Sequence, residues 1–153
     1  MGTFGTGPFG SDDALDLLDQ LADQPAGQRC VILEQIFFQI QDRPDLLGWK
    51  FFPNKIVAAA AVVAACLPRG EPIREDLAAL GYDPDAILIP AVDRELNASA
   101  REALLVVAGP DGLWHDGWLN PEAAAEARQT TDQLGAIFFR EQHSWQQDLP
   151  FEP

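Results

Sequence analysis

The sequence predicts an all-α fold, a compact bundle of about five to six helices entered through a glycine-rich N-terminal arm. Three observations carry that reading. Apolar residues recur at intervals of three, four and seven, as on the buried stripe of a helix. Proline and glycine close these stretches at helix-length intervals. N-cap residues stand at several of their starts.

Residues 1 to 10, MGTFGTGPFG, read as a loop whose two phenylalanines dock on the core. The first helix starts at Ser11 or Asp12, either of which can cap it, with acidic residues in its first turn. Ala14, Leu15, Leu17, Leu18, Leu21 and Ala22 form its buried stripe, while Asp12, Asp16, Asp19 and Asp23 fall on the other side. Pro25 and Gly27 end it. A second helix over 28 to 42 carries Val31, Ile32, Leu33, Ile36, Phe37 and Ile40, and stops before Pro44. Residues 44 to 53 form a connection that holds Trp49, Phe51 and Phe52.

Asn54 is the expected cap of a third helix, 55 to 67, so rich in alanine and valine that it reads as the central one. Pro68 and Gly70 close it. Residues 69 to 84 are turn-rich, with a short helix at 73 to 80, and the apolar run Ala86 to Pro90 fits a strand or a helix equally. Ser99 with Glu102 reads as a capping box opening a helix to Ala108. Gly109-Pro110-Asp111-Gly112 is a turn, and Asn120-Pro121-Glu122 opens a last helix running to about Glu141. Gln142 to Pro153 is polar, holds two prolines and reads as a loose tail. With no repeat, low-complexity tract or linker, residues 1 to 153 are expected to form a single helical domain.

A chain of 153 residues fits one domain that buries roughly 68–70% of its unfolded surface, and its 47% hydrophobic content supplies the core. The net charge of −14 argues against nucleic-acid and anionic membrane surfaces, and suits a cationic partner or plain solubility. Cys30 and Cys66 lie in apolar helical runs and read as reduced core residues of a reducing compartment. Residues 1 to 13 lack a signal peptide's basic and apolar regions. The most apolar stretch, Ile56 to Leu67, is 12 residues long, against the ~20 a bilayer requires. A cytoplasmic location is expected.

Gly5-Thr6-Gly7-Pro8-Phe9-Gly10 matches the dinucleotide pattern G-x-G-x-x-G, yet only four residues precede it, too few for the strand that fold needs. Asp12 and Asp13 would also repel a phosphate at the helix start. Met1-Gly2 with Thr6 fits a myristoylation pattern, but the aspartates that follow are the opposite of the basic patch that reinforces a single acyl chain.

The block Met1-Gly2-Thr3-Phe4-Gly5-Thr6-Gly7-Pro8-Phe9-Gly10-Ser11-Asp12-Asp13-Ala14-Leu15-Asp16 resembles the opening of the bacterial family called domain of unknown function 4259. Members begin M-G-T-W-G-x-G-x-F, followed by an N-D-x-A-x-D element that enters a leucine-rich helix. Gly2, Gly5, Gly7, Phe9, Asp12, Ala14 and Asp16 match, whereas Phe4 stands for the usual tryptophan and Ser11 for the usual asparagine. The resemblance implies a small helical protein and brings no catalytic residues. Physically the block is a structured arm: glycines let the backbone approach closely, Phe4 and Phe9 anchor it, and Asp12 caps the helix.

His115 and His143 lack the spaced ligands of a zinc site, and the aspartates of the first helix lack the loop of a calcium-binding hand. No nucleophile elbow is present, and neither cysteine is in an electropositive setting. No cofactor is expected. Trp49, Trp114 and Trp118 sit beside turns, as lids on the core or as interface anchors.

The expected function is therefore that of a non-enzymatic interaction protein, its acidic surface binding a basic protein partner in an immunity-like role. Asp12, Asp13, Asp16, Asp19 and Asp23, with Trp49, Trp114 and Trp118, are the candidate contact residues. Two alternatives stand beside it. One is a small hydrolase using carboxylates with His115, which neighbours Asp116. The other is a subunit of a larger assembly that buries the aromatic loops.

Overall fold

Residues 7–46, 53–108, 114 and 120–147 are described by the computed structural model, and among them the chain is all-α, with no strand. Its helices are α1 (Asp12–Ala22), α2 (Ala26–Asp42), α3 (Pro53–Ala65), α4 (Glu71–Ala79), α5 (Pro84–Ile87), α6 (Arg94–Ala108) and α7 (Pro121–Gln147). A 3-10 turn, Pro44–Leu46, follows α2.

A helix with alanine and valine on every side has no polar face to offer water, so it belongs in the middle. Every residue of α3 from Ile56 to Ala65 is buried, and the helix packs against α1, α2, α4, α6 and α7. Around it stand Leu17, Leu18 and Leu21 of α1, Leu33, Phe37 and Ile40 of α2, Leu104 and Val107 of α6, and Leu134 and Phe138 of α7. Burying each of these larger side chains contributes about 1.5–3 kcal/mol.

Helix starts follow local capping chemistry, not always at the expected residue. Ser11 caps α1, its Oγ accepting from the Ala14 N–H at 3.1 Å, and Phe9 just before it is buried in the core. Phe4 lies outside the described residues. Asn120 caps α7 as expected, accepting from the Ala123 N–H at 2.8 Å. Several boundaries differ: α2 starts at Ala26, so Gly27 lies inside it and does not end α1, and α4 spans Glu71–Ala79 where 73 to 80 was expected. α6 begins at Arg94, where Asp93 Oδ1 accepts from the Leu96 N–H at 2.8 Å. Ser99 therefore lies inside the helix, with its carbonyl bound by Gln41 Nε2, and no capping box forms there. Asp93 is as good a cap as serine, and starting early buries Leu96, Asn97 and Ala100. α3 starts at Pro53, a residue suited to the first helical position, so Asn54 falls in the first turn. α7 continues to Gln147, so residues 142–147 are helical where a loose tail was expected. Gln142 accepts from Arg101, and His143 stacks on Phe139 with centroids 6.2 Å apart.

The apolar run at 86–90 divides between two conformations. Ala86 and Ile87 complete the single turn of α5, capped by Asp83, and the chain becomes extended at Leu88. That short turn takes the helix count one above the expected range.

Two arginines close helix ends that would otherwise expose carbonyls. Arg29 Nε donates to Leu21 O and Gln24 O at 3.1 and 2.9 Å, where α1 ends, and its NH1 reaches Leu88 O at 2.8 Å. Arg74 NH1 donates to Ala65 O and Leu67 O at 2.7 and 3.0 Å, at the end of α3. A cation at a helix C-terminus also meets the negative end of the macrodipole. Beside Arg74, Gly70 presses its backbone onto the last turn of α3. A Cβ there would overlap the Ala64 carbonyl and come within 2.8 Å of Ala65 Cα. Gly70→Ala should therefore destabilise the fold by about 2–3 kcal/mol, read as a lower denaturation midpoint at unchanged slope.

One buried polar group is poorly satisfied. Asn97 is 1% exposed, its Nδ2 donates weakly to Phe138 O at 3.4 Å, and its Oδ1 has no partner among the described residues. In Asn97→Asp, a protonated carboxyl could still donate to Phe138 O, but an ionised one would be buried beside that carbonyl. Its folded pKa should rise above the unfolded value of about 3.9, so stability should fall as pH rises from about 4. Denaturation at about pH 7 should show a loss of about 2–3 kcal/mol, and near pH 4 a smaller one.

Candidate functional site

α1 separates its two kinds of residue sharply. Ala14, Leu17, Leu18 and Leu21 are buried against the bundle. Asp12, Asp16, Asp19 and Asp23 are exposed, and their spacing of four, three and four residues aligns them along one ridge of the helix. Asp13, also exposed, lies to one side of that ridge. None of the five forms a salt bridge among the described residues. The ion pair found there, Arg43 with Asp45 at 2.9 Å, is exposed and belongs to the end of α2.

Electrostatically the ridge is not built for stability. Asp12 and Asp13 sit favourably in the first turn, near the positive end of the helix. Asp23, at the other end, faces the carbonyl-rich terminus, and the last turn of α1 contains no basic residue. Like charges three and four residues apart repel by about 0.2–0.5 kcal/mol per pair. Arg29, on the carbonyls of Leu21 and Gln24, relieves part of the charge at that end.

One ridge carboxylate is engaged by a residue that sequence reasoning missed. The Tyr82 hydroxyl donates to Asp19 Oδ1 at 2.8 Å across 63 positions of sequence, joining α1 to the segment between α4 and α5. Desolvation, then the hydrogen bond to Asp19 and the charges of Asp19 and Asp16, push the Tyr82 phenol up to about 12. No local signal marks this pairing, which exists only because α1 and the α4–α5 turn meet in space.

Of the tryptophan candidates, Trp114 lies among the described residues. Trp114 is 4% exposed, its N–H donates to Val107 O at 2.9 Å and its Nε1 to Ala127 O at 2.8 Å. It bridges α6 and α7 as a lid on the core and presents no anchor to solvent. Trp49, Trp118, His115 and Asp116 lie outside the described residues. Cys30 and Cys66 are free thiols, and burial raises both pKa values, which makes them weak nucleophiles. The Cys66 thiol donates to Val62 O at 3.2 Å. Among the described residues no group of three or more His, Cys, Asp and Glu side chains could hold a metal ion, and no helix is long and apolar enough to cross a membrane.

The family model described as Domain of unknown function (DUF4259) matches residues 2–130, from the glycine-rich N-terminal sequence into the first half of α7. The chain belongs to this family. The DUF4259 match takes in the whole acidic ridge and Tyr82, and ends before the last four turns of α7. No curated protein and no solved structure matches the chain.

Tyr82 is the chain's single tyrosine, so an alkaline absorbance titration reads it alone. The midpoint should lie at about 12, and Asp19→Asn should lower it by removing the negative acceptor. Because the folded value exceeds the ordinary 10.0, the associated stability is fully present below pH 10.0 and is lost as pH rises toward about 12.

Proposed function

We propose that the protein is a non-enzymatic cytoplasmic interaction protein that presents the α1 ridge to a basic protein partner. The observation that carries this reading is the ridge itself: Asp12, Asp16, Asp19 and Asp23 are exposed, aligned, and without salt bridges among the described residues. Apart from Asp12 at the helix start and Asp19 beneath the Tyr82 hydroxyl, this line of like charge gains the fold little, whereas it complements a row of lysines or arginines on another surface. The net charge of −14 adds long-range attraction for the same class of partner. Neutralising a cationic toxin in an immunity-like manner is the role that best fits these properties.

Affinity purification from the native host, at about 50 mM salt and then higher, tests this directly, because surface charge attraction weakens as the screening length shortens. A basic protein that elutes as salt rises supports the proposal, and the absence of any such protein at low salt overturns it. With the partner in hand, Asp16→Lys with Asp23→Lys should slow association by roughly tenfold or more, with a smaller effect on dissociation. The thermal midpoint should stay the same or rise, since the substitutions relieve repulsion. An association rate indifferent to both salt and these substitutions would place the contact elsewhere.

A further inference from the structure

Away from α1, a groove of about 550 Å³ runs between the start of α4 and the second half of α7, a volume within the range of small-molecule sites. Its floor is apolar. Ile73 is buried and Ile137 half-buried, and both pack on the core. Its charged lining consists of Arg69, Glu71 and Arg140, so the groove is net positive in a chain of net charge −14.

Several arginines elsewhere in the chain are already engaged. Arg29 and Arg74 are committed to helix-end carbonyls, Arg43 to Asp45, and Arg101 to Gln142 and the Phe139 ring. Arg69 and Arg140 make no hydrogen bond or ion pair among the described residues, although they come from different elements and line the same groove. Glu71 begins the nine-residue α4, whose start has no side-chain cap, so that end of the helix adds partial positive charge.

We propose that this groove binds a small organic anion with one carboxylate and an apolar body. The guanidiniums of Arg69 and Arg140 hold the carboxylate, and Ile73 and Ile137 receive the body. Guanidinium groups match carboxylate geometry through paired N–H donors. Two cations and one carboxylate leave a single positive charge, which suits a monoanion, whereas Glu71 opposes a phosphate dianion. The apolar floor adds affinity in proportion to the hydrocarbon it covers.

Amide NMR titration of the full chain with octanoate tests the proposal, with octylammonium and inorganic phosphate as parallel probes. Octanoate should give saturable shifts at Ile73, Gln133 and Ile137, with a Kd below about 1 mM. Arg69→Gln with Arg140→Gln should weaken it at least about tenfold without moving the thermal midpoint, and Arg140→Lys alone should lose less. Asp16→Lys with Asp23→Lys should leave octanoate binding unchanged. The proposal is overturned if octanoate shifts do not saturate, if octylammonium or phosphate binds as well, or if the double arginine variant binds octanoate as tightly as the parent chain.

Discussion

How closely the other helices can stand to α3 is fixed by its small side chains. Between Ile56 and Ala65 every residue is Ile, Val or Ala and all are buried, so five helices can contact one axis. Larger side chains would push those neighbours outward, and longer polar ones would enter the core without partners. The arrangement places one demand on the chain where α3 ends: the last carbonyls must be satisfied without a bulky turn. Gly70 allows the backbone to fold directly onto Ala64 and Ala65, and Arg74 then reaches back to the carbonyls of Ala65 and Leu67. Close packing along α3 and tight closure at its end are one design.

Charge is divided by location in a related way. The chain has ten lysines and arginines against 24 aspartates and glutamates. Arg29 and Arg74 serve helix ends, where a cation meets several carbonyls at once, and are thereby withdrawn from any carboxylate. The aspartates of α1 consequently form no salt bridge among the described residues, and Asp19 accepts a hydrogen bond from Tyr82. Using guanidiniums as backbone caps leaves the acidic surface available to others.

What the sequence made legible was whatever depends on near neighbours. Periodic burial marks most of the stripes of α1 and α2, although Ala22 and Val31 of those stripes are exposed, the composition of α3 marks it as central, and Ser11 and Asn120 cap as their residue types suggest. The acidic ridge was readable because helical spacing alone aligns Asp12, Asp16, Asp19 and Asp23. Capping patterns are degenerate, however: Ser99 with Glu102 satisfied one, yet Asp93 opened the helix because an earlier start buried Leu96 and Ala100. Hydrogen bonds from Arg29 to Leu88 O, Arg74 to Ala65 O and Trp114 to Ala127 O were not readable, since a backbone carbonyl has the same chemistry at every residue. The Tyr82–Asp19 contact was hidden for a different reason, a separation of 63 residues that only the folded chain removes.

Arg29 also ties together stretches of chain that are far apart in sequence. Its Nε holds carbonyls five and eight residues away, while its NH1 holds those of Asp85 and Leu88, 56 and 59 residues away. The near contacts can form as soon as α1 and α2 meet, at little loop-closure entropy, whereas the far ones must wait for the intervening chain to collapse around α3. A single guanidinium thus combines local and long-range contacts. The segment from Asp85 to Leu88 is thereby fastened to the junction of α1 and α2 through a single side chain, in addition to the burial of Ile87.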